Sequence, residues 1–150
     1  RDLELAVEAE SRNADIVVMA AAVADYRPAQ VQDAKMKKTG EALRLELIEN
    51  PDILAGLVAR RRPGQIIVGF AAETGDATTD ALSHGRAKAI RKGADLLAIN
   101  SVGETTGFGD VTNSVLVVDS AGNDVGTASG SKTAVAAGLV DLIVGRLASA

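Results

Sequence analysis

The chain has 150 residues, of which 47% are apolar and 24% are charged, and its formal net charge is −4. This length suits one domain with a continuous core, and the charged fraction is near the globular average, which argues against wholesale disorder. The negative net charge provides no general basic field for nucleic acid or an anionic membrane. The sequence contains no Cys, which excludes disulfides, thiolate nucleophiles and cysteine metal sites. The longest apolar runs reach only about half of a membrane span, so we expect a soluble, cytoplasmic protein.

The amino-terminal end reads as a cut through a longer sequence. The chain begins at Arg1 without Met and enters a helix-like pattern directly, with no pattern of a cleavable signal peptide. We therefore expect residues 1–150 to be a single domain that lacks its amino-terminal portion.

The first third of the chain predicts a short helix and two strands. Apolar spacing predicts a helix over residues 3–13, and the continuous apolar run at 15–22 predicts a buried strand. The segment that follows is not a helix interior, because Pro28 biases the residue before it toward extended geometry. Alternation at residues 43–48 predicts a half-exposed strand.

A helix start is predicted at Asn50. Asn50 is a favourable N-cap, Pro51 suits the first helical position, and Asp52 suits the first turn. The helix is expected to run to about Arg61, because Pro63 and the glycine after it stop it.

The rest of the chain alternates strands with helices. Buried strands are predicted at 65–70 and 94–100, with a loop at 71–75 after the first of them. Long helices are predicted at 76–92, stopped by Gly93, and at 131–147. A loop at 103–112 precedes a strand at 113–119, and the turn at 121–124 predicts a hairpin with a short strand near Val125. This pattern predicts a three-layer, Rossmann-like α/β domain with a mainly parallel sheet and an antiparallel edge hairpin.

Asp25 is the first candidate for ligand binding. In open α/β sheets, ligands lie beyond the carboxyl ends of the strands, and Asp25 closely follows a predicted strand. A carboxylate there suits a magnesium ion or a ribose hydroxyl, and the position alone does not choose between them. An Asp that simply caps a turn is an equally good interpretation.

Two groups of cations are candidates for a polyphosphate site. Residues 35–38 hold three lysines in an otherwise acidic chain, although a short lysine run is usually a solvated loop. Lys88 and Lys92 are four residues apart and therefore share a helix face. Their simpler interpretation is favourable charge at a helix carboxyl terminus. A functional role requires both groups to converge on one ligand.

Several other chemistries lack support in the sequence. The helix start at Asn50 offers amides to an anion, but capping alone explains its residues. His84 has no Ser or acidic partner in a recognisable triad arrangement, and neither a P-loop nor a G-x-G-x-x-G fingerprint is present. From the residues alone, the sequence predicts an α/β domain with a possible polyphosphate site.

Seven segments in order resemble one family. They are residues 21–28 (AAVADYRP), 35–38 (KMKK), 50–53 (NPDI), 68–74 (VGFAAET), 88–92 (KAIRK), 94–100 (ADLLAIN) and 107–113 (GFGDVTN). Together they closely resemble phosphopantothenoylcysteine synthetase, the carboxyl-terminal half of the bifunctional bacterial coenzyme A biosynthesis flavoprotein. The resemblance covers essentially all 150 residues.

The resemblance implies a two-step ligase reaction. CTP activates the carboxylate of 4′-phosphopantothenate as an acyl-cytidylate and releases pyrophosphate, and the amine of L-cysteine then displaces CMP. It further implies Mg²⁺ held mainly by the triphosphate, with Asp25 as a possible ligand. FMN belongs to an adjoining decarboxylase domain upstream and not to this chain.

The resemblance also assigns residues. The positions that match nucleotide-contacting positions of the family are Asp25, Lys35, Asn50, Pro51, Asp52, Ile53, Phe70, Lys88 and Lys92. Lys35 is expected on the triphosphate as the catalytic cation, Lys88 and Lys92 add charge from one helix face, and Phe70 with the loop after it lines the base or ribose. A homodimer is implied, with residues 35–48 as a dimerisation arm near the partner's site.

The sequence departs from the family at its front. Family members begin this domain with a strand, a glycine-containing turn and a helix that bear an Asn-x-x-Ser-Gly-Lys stretch, which these residues do not contain. We therefore expect the chain alone to hold an incomplete site and to be inactive. Two other functions stay open, a dinucleotide-binding oxidoreductase-like domain and a non-catalytic dimerisation domain.

Overall fold

The computed structural model describes residues 1–31, 33–37, 40, 42–75, 79–101 and 113–148. Its helices and strands are, in chain order, α1 (Asp2–Ser11), β1 (Ile16–Met19), β2 (Tyr26–Pro28), β3 (Leu47–Glu49), α2 (Ile53–Arg60), β4 (Ile66–Glu73), α3 (Ala81–Lys92), β5 (Leu96–Ser101), β6 (Asn113–Asp119), β7 (Asp124–Gly130) and α4 (Lys132–Leu147). The loop predicted at 103–112 lies outside the described residues, as do most of the segment at 107–113, Lys38 and the start of the helix predicted at 76.

Five strands form the main sheet in the order β1-β4-β5-β6-β7. Strands β1, β4 and β5 are mutually parallel, whereas β6 pairs antiparallel with both β5 and β7. Four of the five strands therefore run in the same direction, and the β6–β7 hairpin forms one edge. This arrangement confirms the α/β fold with a mainly parallel sheet and an antiparallel edge hairpin.

Helices cover both faces of the sheet. On one face, α4 packs through Val135, Leu139 and Ile143 against β4, β5, β6 and β7. On the other face, α2 packs beside Ile67 of β4, and α3 packs through Ala89 against β5. Strands covered on both faces are apolar along their whole length, which explains the continuous apolar runs in the sequence.

The predicted start of α2 is wrong by two residues. Asp52, not Asn50, is the N-cap, and its side chain accepts a hydrogen bond from the Ala55 amide at 3.1 Å. Pro51 therefore precedes the helix and does not occupy its first position. Asn and Asp are about equally good N-caps, so local preference did not decide between them.

Strand β4 is longer than predicted. It continues past Phe70 to Glu73, through residues that the sequence predicted as a loop. The extension pairs Ala72 with Asn100 and Glu73 with Ser101 on β5. These residues take strand geometry because a parallel neighbour offers hydrogen-bonding partners, which a single-segment pattern does not reveal.

Helix α3 begins at Ala81, later than the predicted residue 76. The Asp80 side chain accepts hydrogen bonds from the amides of Leu82 and Ser83, both at 2.9 Å, and so fixes the start. The predicted stop is confirmed, because Gly93 has a φ of 68° and closes the helix in the left-handed region.

The strand predicted at 43–48 is much shorter in the structure. Only β3 forms, and it pairs antiparallel with β2 in a separate two-stranded sheet. All three β3 residues are exposed, so the strand is not half-buried as the alternation suggested. Residues 29–46 connect these two strands and include most of the arm expected at 35–48, and from here on we call this whole connection the arm. Val31, Leu43 and Leu45 of the arm are 86%, 64% and 59% exposed.

Candidate functional site

An open groove of about 740 Å³ lies at the carboxyl ends of β1, β4 and β5. Parallel strands end at the same edge of a sheet, so the segments that follow them meet there. The start of α2 and the last two turns of α3 complete the walls. The lining residues are 19–26, 49–54, 70–72, Lys88, Lys92 and Asn100.

Eight of the nine candidate residues line this groove. Besides Asp25, Phe70, Lys88 and Lys92, they include the four residues from Asn50 to Ile53. Lys35 does not line it: Lys35 is exposed in the arm, so among the described residues Lys35 does not converge with Lys88 and Lys92 on one groove. The groove thus unites candidate residues that are as many as 67 positions apart in the sequence, from Asp25 to Lys92.

Each groove lysine is paired with a carboxylate. Lys88 Nζ contacts Glu73 Oε1 at the end of β4, and Lys92 Nζ contacts Asp52 Oδ2 at the N-cap of α2. The two lysines project from α3 one turn apart. Lys88 reaches the end of β4, and Lys92 reaches the start of α2. These pairs neutralise much of the local positive charge, which the sequence alone did not indicate.

Asp52 has a lowered pKa. Burial by itself would raise the pKa of this carboxyl, but the hydrogen bonds from Lys92 and from the Ala55 amide outweigh that effect, together with the charges of Lys92 and Arg91. The carboxylate form is therefore favoured in the folded protein. Asp52 thus serves both as the cap of α2 and as the counter-ion of Lys92.

The amide side chain of Asn50 joins the loop after β1 to the approach to α2. Its Oδ1 accepts from Arg27 Nη1 at 2.9 Å, and its Nδ2 donates to the Ala24 carbonyl at 2.7 Å. The Asn50 backbone amide also donates to the Asp25 carbonyl at 2.7 Å. These bonds fix the backbone that presents Asp25, whose exposed side chain lines the groove.

Sequence reasoning missed several residues at the groove. Arg27 and Glu49 shape one wall, since Arg27 Nη1 donates to the Glu49 carbonyl at 2.8 Å and Tyr26 Oη donates to Glu49 Oε1 at 3.4 Å. Glu73 was predicted only as part of the loop after Phe70 that lines the base or ribose, with no role of its own. A signal for Glu73 existed, because it is a carboxylate beyond an apolar strand, as Asp25 is.

The described parts of the chain show neither a cluster of metal ligands nor a membrane-spanning helix. No group of three or more His, Asp or Glu side chains there is placed to hold a metal ion. Within the same residues, no helix combines the length and the apolar character that crossing a bilayer requires.

A mixed sheet with helices on both faces and a groove beyond its parallel strands defines a Rossmann-like α/β domain. Residues 1–147 match the family model described as the DNA/pantothenate metabolism flavoprotein C-terminal domain. The chain belongs to this family, which confirms the family resemblance found in the sequence.

Relatives and a solved structure agree with this assignment. The chain is 50% identical over 149 residues to "Coenzyme A biosynthesis bifunctional protein CoaBC" of Mycobacterium bovis, covering 95% of this chain and 36% of the relative. It is 39% identical over 118 residues to the protein of the same name from Escherichia coli, covering 76% of this chain and 28% of that one. The chain therefore spans about a third of the length of these relatives.

The fold has a solved counterpart. The crystal structure of the DNA/pantothenate metabolism flavoprotein from Streptococcus pneumoniae aligns with a TM-score of 0.70 and 20% identity, over 96% of this chain and 66% of that one. At this identity the likeness establishes the fold.

Proposed function

We propose that this chain provides the nucleotide groove of a CTP-dependent phosphopantothenate–cysteine ligase in coenzyme A biosynthesis. The main support is the gathering of eight candidate residues around one groove at the carboxyl edge of the sheet. The names of the relatives, which place them in coenzyme A biosynthesis, support the pathway.

The proposed reaction has two steps. The carboxylate of 4′-phosphopantothenate attacks the α-phosphorus of CTP, a new P–O bond forms, and pyrophosphate leaves. The amine of L-cysteine then attacks the activated acyl carbon, and the C–O bond to CMP breaks. Neither step requires a protein nucleophile, which agrees with a chain without Cys. The chief demand on the protein is to neutralise phosphate charge and to orient the reactants.

The groove has groups suited to that demand. Lys88 and Lys92 present ammonium groups to an incoming phosphate chain, and Phe70, which is 37% exposed, offers an apolar surface to the base or ribose. Asp25 presents a carboxylate on the same wall as Asn50. A bound Mg²⁺ would supply further charge neutralisation. Asp52 is paired with Lys92, so a Mg²⁺ bound by the Asp25 carboxylate would take its other ligands mainly from phosphate and water.

Lys35 reaches a groove by way of the arm in this proposal. The arm exposes large apolar side chains at Val31, Leu43 and Leu45. We propose that these side chains become buried in a homodimer, where Lys35 supplies its charge to the partner's groove. Lys35 does not line the groove of its own chain, which agrees with this arrangement.

A ligand-stabilisation experiment tests the proposed function. The protein should contain this chain together with the amino-terminal segment expected from the family, and should receive Mg²⁺ with CTP, NAD or NADP. A ligand at a hundredfold excess over its Kd stabilises the native state by about 2.7 kcal/mol. CTP should raise the melting temperature most, and activity should require CTP, 4′-phosphopantothenate and L-cysteine together. A larger increase in melting temperature with NADP than with CTP would favour the oxidoreductase-like alternative and contradict the ligase assignment.

A further inference from the structure

Glu73 is a mostly buried carboxylate to which the proposed reaction gives no role. It is the last residue of β4, its side chain is 15% exposed, and less than 1 Å² of its Oε1 atom is accessible. Moving a carboxylate out of water is costly unless a cation compensates it. The cation that pairs with Glu73 therefore matters for its burial as a charged group.

The side chain of Glu73 points toward α3. Side chains alternate along a strand, so Glu73 points to the same face of β4 as Ala71. Ala71 is buried in the cluster that includes Ala89 of α3. Lys88 precedes Ala89 on that helix, and its Nζ contacts Glu73 Oε1. The contact thus ties the end of a central strand to a lysine that lines the groove.

The two groove lysines differ in what their partners do. Asp52 holds Lys92 but also caps α2, so its place in the chain is explained without a ligand. Glu73 has no comparable structural duty among its described contacts, and its ion pair with Lys88 is shielded, since Lys88 is 32% exposed. A mostly buried carboxylate at a strand end is expensive for stability alone, because an apolar residue of similar size would avoid the desolvation cost.

We propose that Glu73 is a positioning residue, which holds the Lys88 ammonium at the groove wall, ready for a phosphate of the bound nucleotide. This inference rests on the proposed function. A free lysine has many rotamers, and a ligand that orders it loses binding free energy in doing so. Glu73 orders Lys88 before the ligand arrives, and the phosphate then adds to a cation that is already in place.

A double-mutant cycle with Glu73→Gln, Lys88→Gln and the double variant tests the inference. The protein should contain this chain together with the amino-terminal segment expected from the family. Ordering one flexible side chain corresponds to about a threefold to tenfold change in affinity. Glu73→Gln should therefore weaken CTP binding, measured by calorimetry, by about threefold to tenfold. It should raise the KM for CTP by a similar factor while kcat stays within about twofold. The double variant should bind CTP as Lys88→Gln does, because Glu73 acts through Lys88.

A matched control separates this role from a general effect of losing an ion pair. Glu8 pairs with Arg60 at 2.8 Å, and neither residue lines the groove. Glu8→Gln removes a carboxylate in the same way and should leave CTP affinity unchanged. If Glu73→Gln fails to fold, Glu73→Asp in the presence and absence of Lys88→Gln provides the same cycle, with a smaller expected loss.

The outcomes distinguish the inference from the function on which it depends. If the wild-type protein does not bind CTP, the proposed function is wrong, and the inference that rests on it is wrong as well. If the wild-type protein binds CTP but Glu73→Gln binds it equally well or more tightly, Glu73 is not a positioning residue. Effects of Glu73→Gln and Lys88→Gln that simply add would likewise overturn the inference, because Glu73 would then act independently of Lys88.

Discussion

Arg27 and Asn50 are joined by a hydrogen bond of 2.9 Å between Arg27 Nη1 and Asn50 Oδ1. The two residues are 23 positions apart, on either side of the arm, and the contact fixes the base from which the arm projects. Asn50 Nδ2 donates a hydrogen bond to the Ala24 carbonyl at 2.7 Å. The amide of Asn50 therefore supports the wall of the groove through contacts within the chain.

Replacement of Asn50 should measure this support. Asn50→Ala loses two side-chain hydrogen bonds, one part-buried and one exposed. At about 0.5–1.5 kcal/mol for each bond, the free energy of unfolding should fall by about 1–3 kcal/mol. Asn50→Asp keeps the acceptor for Arg27 but loses the donor to Ala24, so its loss should be smaller. Urea unfolding at neutral pH gives both values. An Ala variant as stable as wild type would show that these bonds contribute nothing net.

Two substitutions of Asp52 should separate its cap from its charge. Asp52→Ala removes the acceptor for the Ala55 amide and should lower the free energy of unfolding by about 1 kcal/mol. Asp52→Asn keeps a good N-cap and removes only the negative charge beside Lys92. The Asn variant should therefore be more stable than the Ala variant at pH 7, as measured by thermal unfolding.

The pH dependence of these variants has a definite sign. The folded-state pKa of Asp52 is below its ordinary value of 3.8, so its charge stabilises the folded protein above that pH. The contribution is lost as pH falls through the folded-state pKa. The stability advantage of wild type over Asp52→Asn should thus shrink below about pH 4, and a growing advantage in acid would contradict the assignment.

Gly85 should not tolerate a methyl group. A Cβ at Gly85 would lie 2.6 Å from both Cδ1 and Cγ2 of Ile99, so α3 would have to move away from β5. Overpacking of this kind costs about 1–3 kcal/mol, which outweighs a gain of up to about 1 kcal/mol in helix propensity. Gly145→Ala is the control, because a Cβ there meets no atom within 4 Å and should raise the melting temperature.

Lys35 and Lys88 should affect different kinetic constants. If the charge of Lys35 acts on the transition state, Lys35→Gln should lower kcat more than it weakens CTP binding. Lys88→Gln should mainly raise the KM for CTP, because a contact made equally in ground and transition states affects binding. Steady-state kinetics in the complete protein measures both constants. Equal effects confined to KM would mean that Lys35 is not the catalytic cation.

The arm should determine assembly if the proposed dimer forms through it. Leu43 and Leu45 are exposed, so their replacement by Ser should change the stability of the monomer little. Each Leu→Ser substitution should weaken dimerisation by about 1–2 kcal/mol, or roughly tenfold in Kd, as measured by sedimentation over a concentration series. Val140→Ser, on the exposed side of α4, is a matched control at 56% exposure. Unchanged assembly in the arm variants would contradict an interface there.

The amino-acid sequence by itself determined the elements with strong local signals. Strand β6 spans the predicted residues 113–119. Helix α4, predicted at 131–147, spans Lys132–Leu147. Its N-cap is Ser131, whose hydroxyl oxygen accepts a hydrogen bond from the Ala134 amide at 3.2 Å. Gly93 ends α3 because few other residues adopt its positive φ without strain. In each case a residue's own covalent structure or its apolar period is sufficient to specify the local conformation.

Only the tertiary structure decided the features that depend on a distant partner. Whether Asn50 or Asp52 caps α2 was settled by Arg27 and Ala24, which engage Asn50, and by Lys92, which pairs with Asp52. Glu73 became a strand residue because β5 lies beside it, and it became a counter-ion because α3 brings Lys88 to it. Hydrogen bonds and ion pairs act over a few ångströms of space, whatever the separation in sequence, so the charge pattern of the groove was absent from every local segment and arose when the chain folded.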